Sequence, residues 1–106
     1  MAALPQIRQY AGRLVKEFRP QRIVLFGSHA RGQAREHSDV DLLVVLPFRG
    51  RPARKSADIQ MRLRPDFPLD LLVRTPAQVR RRLAQGDSFL REVMEEGRVL
   101  HEAPHP

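Results

Sequence analysis

SDVDLLVVL, residues Ser38 to Leu46, decides how the rest of the chain is read. From Val40 to Leu46 it is a β-rich apolar run, hydrophobic on both faces, which predicts a central strand. Yet two carboxylates stand at its head. Side chains alternate across a strand, so Asp39 and Asp41 project from the same side. Like charges held that close repel, and the arrangement asks for a positive partner.

Working outward, Arg22 to Phe26 (RIVLF) predicts a strand that ends at Gly27-Ser28. Ser28 is placed to cap a short helix through Ala34. Upstream, Ile7, Tyr10, Ala11, Leu14, Val15 and Phe18 form one apolar stripe on a helix from Pro5 to Phe18, with Pro5 in its first turn and Pro20 stopping it. Downstream, Pro47 to Pro52 reads as a loop. Ala53 to Arg64 reads as a helix with Ala57, Met61 and Leu63 turned inward. Leu69 to Val73 (LDLLV) reads as a third strand, with Asp70 inside it. Thr75-Pro76 opens a helix through Gln85. Asp87-Ser88 opens another that Gly97 closes, and Arg98 to His101 is a final extended segment. The tail from Ala103 is expected to fray. The alternation predicts a single domain over residues 1–106 of the α+β (mixed α/β) class, a small mixed sheet flanked by helices.

Composition bounds the chemistry. The 106 residues are 42% hydrophobic and 29% charged, enough for one core. There is no cysteine, which excludes disulfides, thiolate metal sites and cysteine nucleophiles. No apolar run is long enough to span a membrane and no signal core is evident, so a cytoplasmic protein with no membrane partner is expected. The formal net charge is +7, from 19 basic against 12 acidic residues. Such a balance suits an anionic partner, or merely reflects an arginine-rich composition. Arg80-Arg81-Arg82 follows the same two readings, a solvated helix face or a contact for an anion. No aromatic platform accompanies it, so nucleic acid is not the expected partner.

The segment GSHARGQAREHSDVD, Gly27 to Asp41, carries the densest chemistry. Free amides at a strand-to-helix turn attract phosphate oxygens, and Gly27 permits close approach. Carboxylates such as Asp39 and Asp41 suit Mg²⁺ together with substrate phosphates. The bland alternative for Asp-x-Asp is a surface turn or a helix cap. Asp70, within an apolar strand, must be either ion-paired or metal-bound. Three carboxylates beside a Gly-Ser turn describe a two-metal phosphoryl-transfer site, with ions about 3.5–4 Å apart. His29 and His37 lie within the segment, and solvated or loop-bracing roles are expected of them rather than catalysis. His101 and His105 lie near the terminus and carry no assignment.

Gly27-Ser28-x-Ala30-Arg31-Gly32 followed by Ser38-Asp39-x-Asp41-Leu42 resembles the signature of the minimal nucleotidyltransferases, small members of the DNA polymerase β-like superfamily. PLDLLVRTP resembles the family's third-carboxylate strand, and GDSFLREVMEEGRVLHE its C-terminal helix and strand. The resemblance implies a polymerase β palm-like fold and transfer of a nucleoside monophosphate from ATP or another NTP to an acceptor hydroxyl, using two Mg²⁺ ions. It implies that Gly27 and Ser28 hold the triphosphate and that Asp39 and Asp41 bind both metals. Asp70 completes the catalytic metal's shell and helps deprotonate the acceptor. Arg31 contacts phosphate or braces the loop. Relatives of this size are often encoded beside a HEPN-type protein and act there as antitoxins, in some pairs by adenylylating a tyrosine of the HEPN toxin, which implies such a partner here, and a homo- or hetero-oligomer. The short chain shows no evident acceptor domain, which suits an acceptor that brings its own surface. The alternatives are a non-catalytic antitoxin that neutralises by binding alone, and a basic nucleic-acid-binding module.

Overall fold

A computed structural model describes residues 2–104 of the chain; His105, and with it the end of the tail expected to fray, lies outside them. In order, the elements are α1 (Leu4–Phe18), β1 (Arg22–Phe26), β2 (Val40–Val45), α2 (Pro52–Arg62), β3 (Leu69–Arg74), α3 (Pro76–Ala84), α4 (Ser88–Glu96) and β4 (Arg98–Glu102). The strands form one mixed sheet in the order β3-β2-β1-β4. β1 runs antiparallel to both β2 and β4, while β2 and β3 are parallel, joined through α2. The apolar run β2 is central, and Val40, Leu42, Leu43 and Val44 are fully buried.

Alternation along the strands divides the core in two. Ile23, Leu25, Val40, Leu42, Val44, Leu71 and Val73 face Ile7, Tyr10, Ala11 and Leu14 of α1 and Ile59 of α2. Val24, Leu43 and Val45 face Val79 of α3 and Leu90 and Val93 of α4. Each strand thus sends alternate residues to opposite helix layers. On the α1 side the Tyr10 hydroxyl donates to the Leu63 carbonyl at 2.7 Å, and its ring meets Phe67 edge-on at 5.7 Å. Burial pushes the Tyr10 phenol up to about 12, with Arg13 pulling weakly the other way.

The caps of α3 and α4 follow their sequence. Thr75 accepts from the Gln78 amide at 3.1 Å while the Gln78 side chain accepts from the Thr75 amide at 2.9 Å, a complete capping box. Asp87 accepts from the Leu90 amide at 2.9 Å. That bond is the first cause holding its carboxyl below the usual range. Gly97 closes α4 with an extended φ of −70°, so its small size is required for space rather than for a left-handed turn. A Cβ there would lie 2.4 Å from the Val93 carbonyl oxygen and 2.5 Å from Val24.

Two expectations are corrected. Residues 28–34 form no helix; 28–32 are turns and 33–34 have no regular structure. Ser28 therefore caps nothing: Ala30 and Arg31 both donate to the Gly27 carbonyl, and Gln33 donates to the Ser28 carbonyl. Gly32 sits at φ +70°, a left-handed conformation that ends any helix before a second turn. In α2 the inward residues are Ile59 and Leu63, four apart on one stripe, whereas Ala57 is exposed and Met61 is 71% exposed. The helix starts at Pro52 and needs only the stiff Ile59 side chain to reach the core. Met61 falls on the opposite face.

Candidate active site

Parity along the strands puts the three aspartates on the face that carries α3 and α4. Asp41 alternates with the buried Leu43 and Val45, and Asp70 with Leu72. In the parallel β2–β3 ladder Asp41 is registered directly against Asp70. On its other side Asp41 is registered against Phe26, the last residue of β1. Asp39 lies just ahead of β2 and is exposed, as is Asp70, while Asp41 is half-buried. Residues remote in sequence therefore meet at one end of two neighbouring strands.

The electrostatics of this cluster are unfavourable as it stands. The Asp41 carboxyl is raised above its ordinary range, first by burial, then by the negative charges of Asp70 and Asp39. His29 pulls in the opposite direction, and Asp41 is within hydrogen-bond reach of Asp70. Ion pairs among the described residues join Arg22 to Glu102, Arg62 to Glu17 and Arg82 to Asp87, and none touches this cluster. The arginine partner that would give Asp70 a purely structural role is thus not found there. Three hard oxygen donors with mutual repulsion and no ion-pair partner among the described residues suit Mg²⁺. Among the described residues, no three acidic or histidine side chains already converge as a finished metal cage. Asp41 and Asp70 are adjacent, and Asp39 stands at the rim.

Gly27 follows β1 at φ +73° and lies against Asp41: a Cβ there would sit 2.2 Å from Asp41 Oδ2. No L side chain fits that contact, so glycine is required for both its conformation and its bareness. The turn that follows brings Ser28 to the same corner, and Arg31 Nε donates to Gln33 Oε1 at 3.3 Å, bracing the turn from an exposed position. His29 Nδ1 lies 3.1 Å from the Asp39 carbonyl oxygen, the geometry of an N–H donating to it, while His29 Nε2 is buried without a partner among the described residues. His29 thus ties the glycine turn to the segment that presents Asp39. The sequence offered only its place between Ser28 and Ala30 as a signal. His37 is exposed and takes no part. Arg80, Arg81 and Arg82 lie at the far end of the sheet, on the exposed side of α3.

The Nucleotidyltransferase domain family model matches residues 4–102. A candidate protein adenylyltransferase of Methanocaldococcus jannaschii is 30% identical over 105 residues, covering 90% of this chain and 94% of that protein. Two solved structures share the fold. One is a toxin–antitoxin with AMP-PNP, with TM-score 0.54, 17% identity, and 91% of this chain and 73% of that chain covered. The other is the toxin–antitoxin MntA–HpeT bearing two aspartate-to-glutamate changes, with TM-score 0.56, 18% identity and the same coverage. Among the described residues no helix is long and apolar enough to cross a membrane. The sheet, its carboxylate corner and the match along nearly the whole chain lead to one assignment: the chain belongs to the nucleotidyltransferase domain family and is a nucleotidyltransferase.

Proposed function

We propose that the chain transfers AMP from ATP to an acceptor hydroxyl, with a tyrosine of a HEPN-type toxin as the acceptor and the toxin silenced as a result. The observation that carries this reading is the in-register Asp41–Asp70 pair beside Gly27, an acidic corner that has no ion-pair partner among the described residues. The names of the relatives support it, since one is a candidate protein adenylyltransferase and another is a toxin–antitoxin with AMP-PNP.

In this reading the Gly27-Ser28 turn receives the triphosphate, and Gly27 lets the phosphates approach the backbone without a side chain in the way. Asp39, Asp41 and Asp70 hold Mg²⁺, which supplies the positive charge that offsets the phosphate oxygens. Asp70, on the edge strand and exposed, is the carboxylate an incoming acceptor reaches first, and it takes the hydroxyl proton. The acceptor oxygen bonds to the α-phosphorus, the bond from that phosphorus to the β-phosphate oxygen breaks, and pyrophosphate departs. His29 holds the Asp39 segment in place, and Arg31 keeps the turn closed.

The test is incubation of the purified chain with α-labelled ATP, MgCl₂ and a HEPN-type protein encoded beside it. Label is expected on a tyrosine of that protein and absent with Asp39→Asn or Asp41→Asn. Label transfer that survives both changes, or neutralisation that needs neither aspartate, overturns the reading in favour of binding alone.

A further inference from the structure

A second cavity adjoins the carboxylate corner on the same face of the sheet. Phe26, Gly27, Ala30 and Arg31 line it from β1 and the turn, and Phe89, Glu92 and Glu96 from α4, around a volume of about 190 Å³. That is below the roughly 300–1,000 Å³ of a site for a whole drug-sized ligand, and it suits a single flat ring system. The lining is predominantly apolar. Phe89 meets Phe26 edge-on with centroids 5.7 Å apart and remains 51% exposed, an unusual placement for a large aromatic. Glu92 and Glu96 lie one turn apart on α4, where like charges weaken a helix, and neither belongs to an ion pair among the described residues. Ionised carboxylates only accept hydrogen bonds. The pocket therefore offers an aromatic surface and two carboxylate acceptors from α4, with the Arg31 guanidinium on the side of the turn.

Gly27 belongs both to this pocket and to the contact with Asp41, and Phe26 is the residue registered against Asp41. A molecule with phosphates at the Gly27-Ser28 turn has its remaining end within reach of Phe89. We propose that this pocket holds the nucleobase of the nucleoside triphosphate, and that Glu92 and Glu96 select a base bearing an exocyclic amino group. The proposal rests on the nucleotide-transfer reading and adds to it where the base sits and which residues recognise it. Phe89 supplies stacking area, which every base would use alike. The two glutamates supply discrimination, because a base seated over them takes their oxygens from water, and one without an amino group gives no donor in return.

The experiment measures equilibrium binding, with MgCl₂, of three probes: ATP, purine riboside triphosphate (which lacks only the amino group) and inorganic tripolyphosphate. The unaltered chain is expected to bind ATP about ten-fold tighter than purine riboside triphosphate and about a hundred-fold tighter than tripolyphosphate, one factor for the amino group and one for the stack. Phe89→Ala should weaken ATP and purine riboside triphosphate together by about ten-fold, the size of one base–aromatic stack, and leave tripolyphosphate unchanged. Glu92→Ala with Glu96→Ala, which removes the acceptors altogether, should bring the ATP to purine riboside triphosphate ratio close to one, and the ratio cancels the change in net charge. Both glutamates are exposed, so that variant keeps the fold if Phe89→Ala does not. Equal binding of ATP and tripolyphosphate overturns the base pocket while leaving the phosphate site standing. So does Phe89→Ala that spares ATP and weakens only transfer to a protein acceptor, which would make the pocket a docking point. Failure of the unaltered chain to bind either ATP or tripolyphosphate would instead remove the nucleotide reading itself.

Discussion

The two ends of β3 carry opposite charges and were resolved differently by the fold. At its start Asp70 is registered against Asp41, with Asp39 nearby. Four residues on, roughly 13 Å at strand rise, Arg74 ends the strand, and a hollow there is lined by Arg74, Arg81, Arg82 and Asp87. Both ends crowd like charges. Arg74 is lowered from its ordinary value by burial first and by Arg82 second, as Asp41 is raised by burial and then by Asp70. The arginine end contains its own relief: Asp87 pairs with Arg82 at 3.3 Å, and the Val73 carbonyl accepts from Arg74 at 2.7 Å. The aspartate end has no such pair. A structural cluster neutralises itself, whereas a cluster left uncompensated is available to bring in charge from outside.

The largest expected effect separates the ends by activity. Asp41→Asn should cut nucleotidyl transfer at least about a hundred-fold, the upper end of what even a supporting residue costs a metal site. Arg81→Ala should change it less than about two-fold, as for a surface position away from the chemistry. Initial-rate measurements with labelled ATP decide this, and equal losses at both ends would erase the contrast. Next in size is Gly27→Ala. A Cβ 2.2 Å from Asp41 Oδ2, at φ +73°, must displace the carboxylate or the turn. The expected cost is about 1–3 kcal/mol of stability, together with loss of tripolyphosphate binding. Denaturant melts and calorimetry check the two parts separately.

Sequence reasoning reached the aspartate end more fully than its surroundings, for physical reasons. An apolar run headed by Asp39 and Asp41 must be central, because both of its faces need cover. Asp70 within LDLLV must then find company in the sheet. What sequence does not contain is register, and it is the parallel β2–β3 ladder that brings Asp70 opposite Asp41 rather than one residue away on the other face. The caps at Thr75 and Asp87 were legible because capping is local chemistry. The turn after Gly27 was not, since Ala30 and Arg31 favour helix and only the left-handed Gly32 stops it. α2 has too few apolar residues to define a stripe, so the sequence points to Ala57 and Met61 where the structure buries Ile59. The Phe89 pocket joins a turn and a helix some sixty residues apart, and no local pattern announces it.

A smaller effect lies in stability. For the metal-free protein, Asp41→Asn should raise the melting temperature slightly near pH 7, the gain being moderated by solvent at this half-buried site. The sign follows from linkage. Asp41 is raised in the folded state, so as pH climbs past the ordinary carboxylate value of about 3.9 the unfolded chain ionises first. Stability therefore falls up to the raised folded value and stays lower above it. The advantage of asparagine should be absent below about pH 3.9, grow through that interval, and shrink again on addition of MgCl₂ with ATP. Thermal melts across pH in EDTA measure it, and a flat difference would mean the repulsion at the corner is not felt.

The smallest effect is expected from Arg82→Ala, and its smallness is informative. The change removes the second-largest cause of the lowered Arg74 value, which favours folding, and also removes the Asp87 pair, which opposes it. Two exposed or half-exposed terms of opposite sign leave a melting temperature close to that of the parent. Arginine keeps its charge at all ordinary pH values, so the difference should also be flat from about pH 5 to 9, unlike that of Asp41→Asn. A clear rise in melting temperature would show that the arginine end stores repulsion as the aspartate end does. It would then have to be regarded as a second place built to receive an anion, and not as a cluster already at rest.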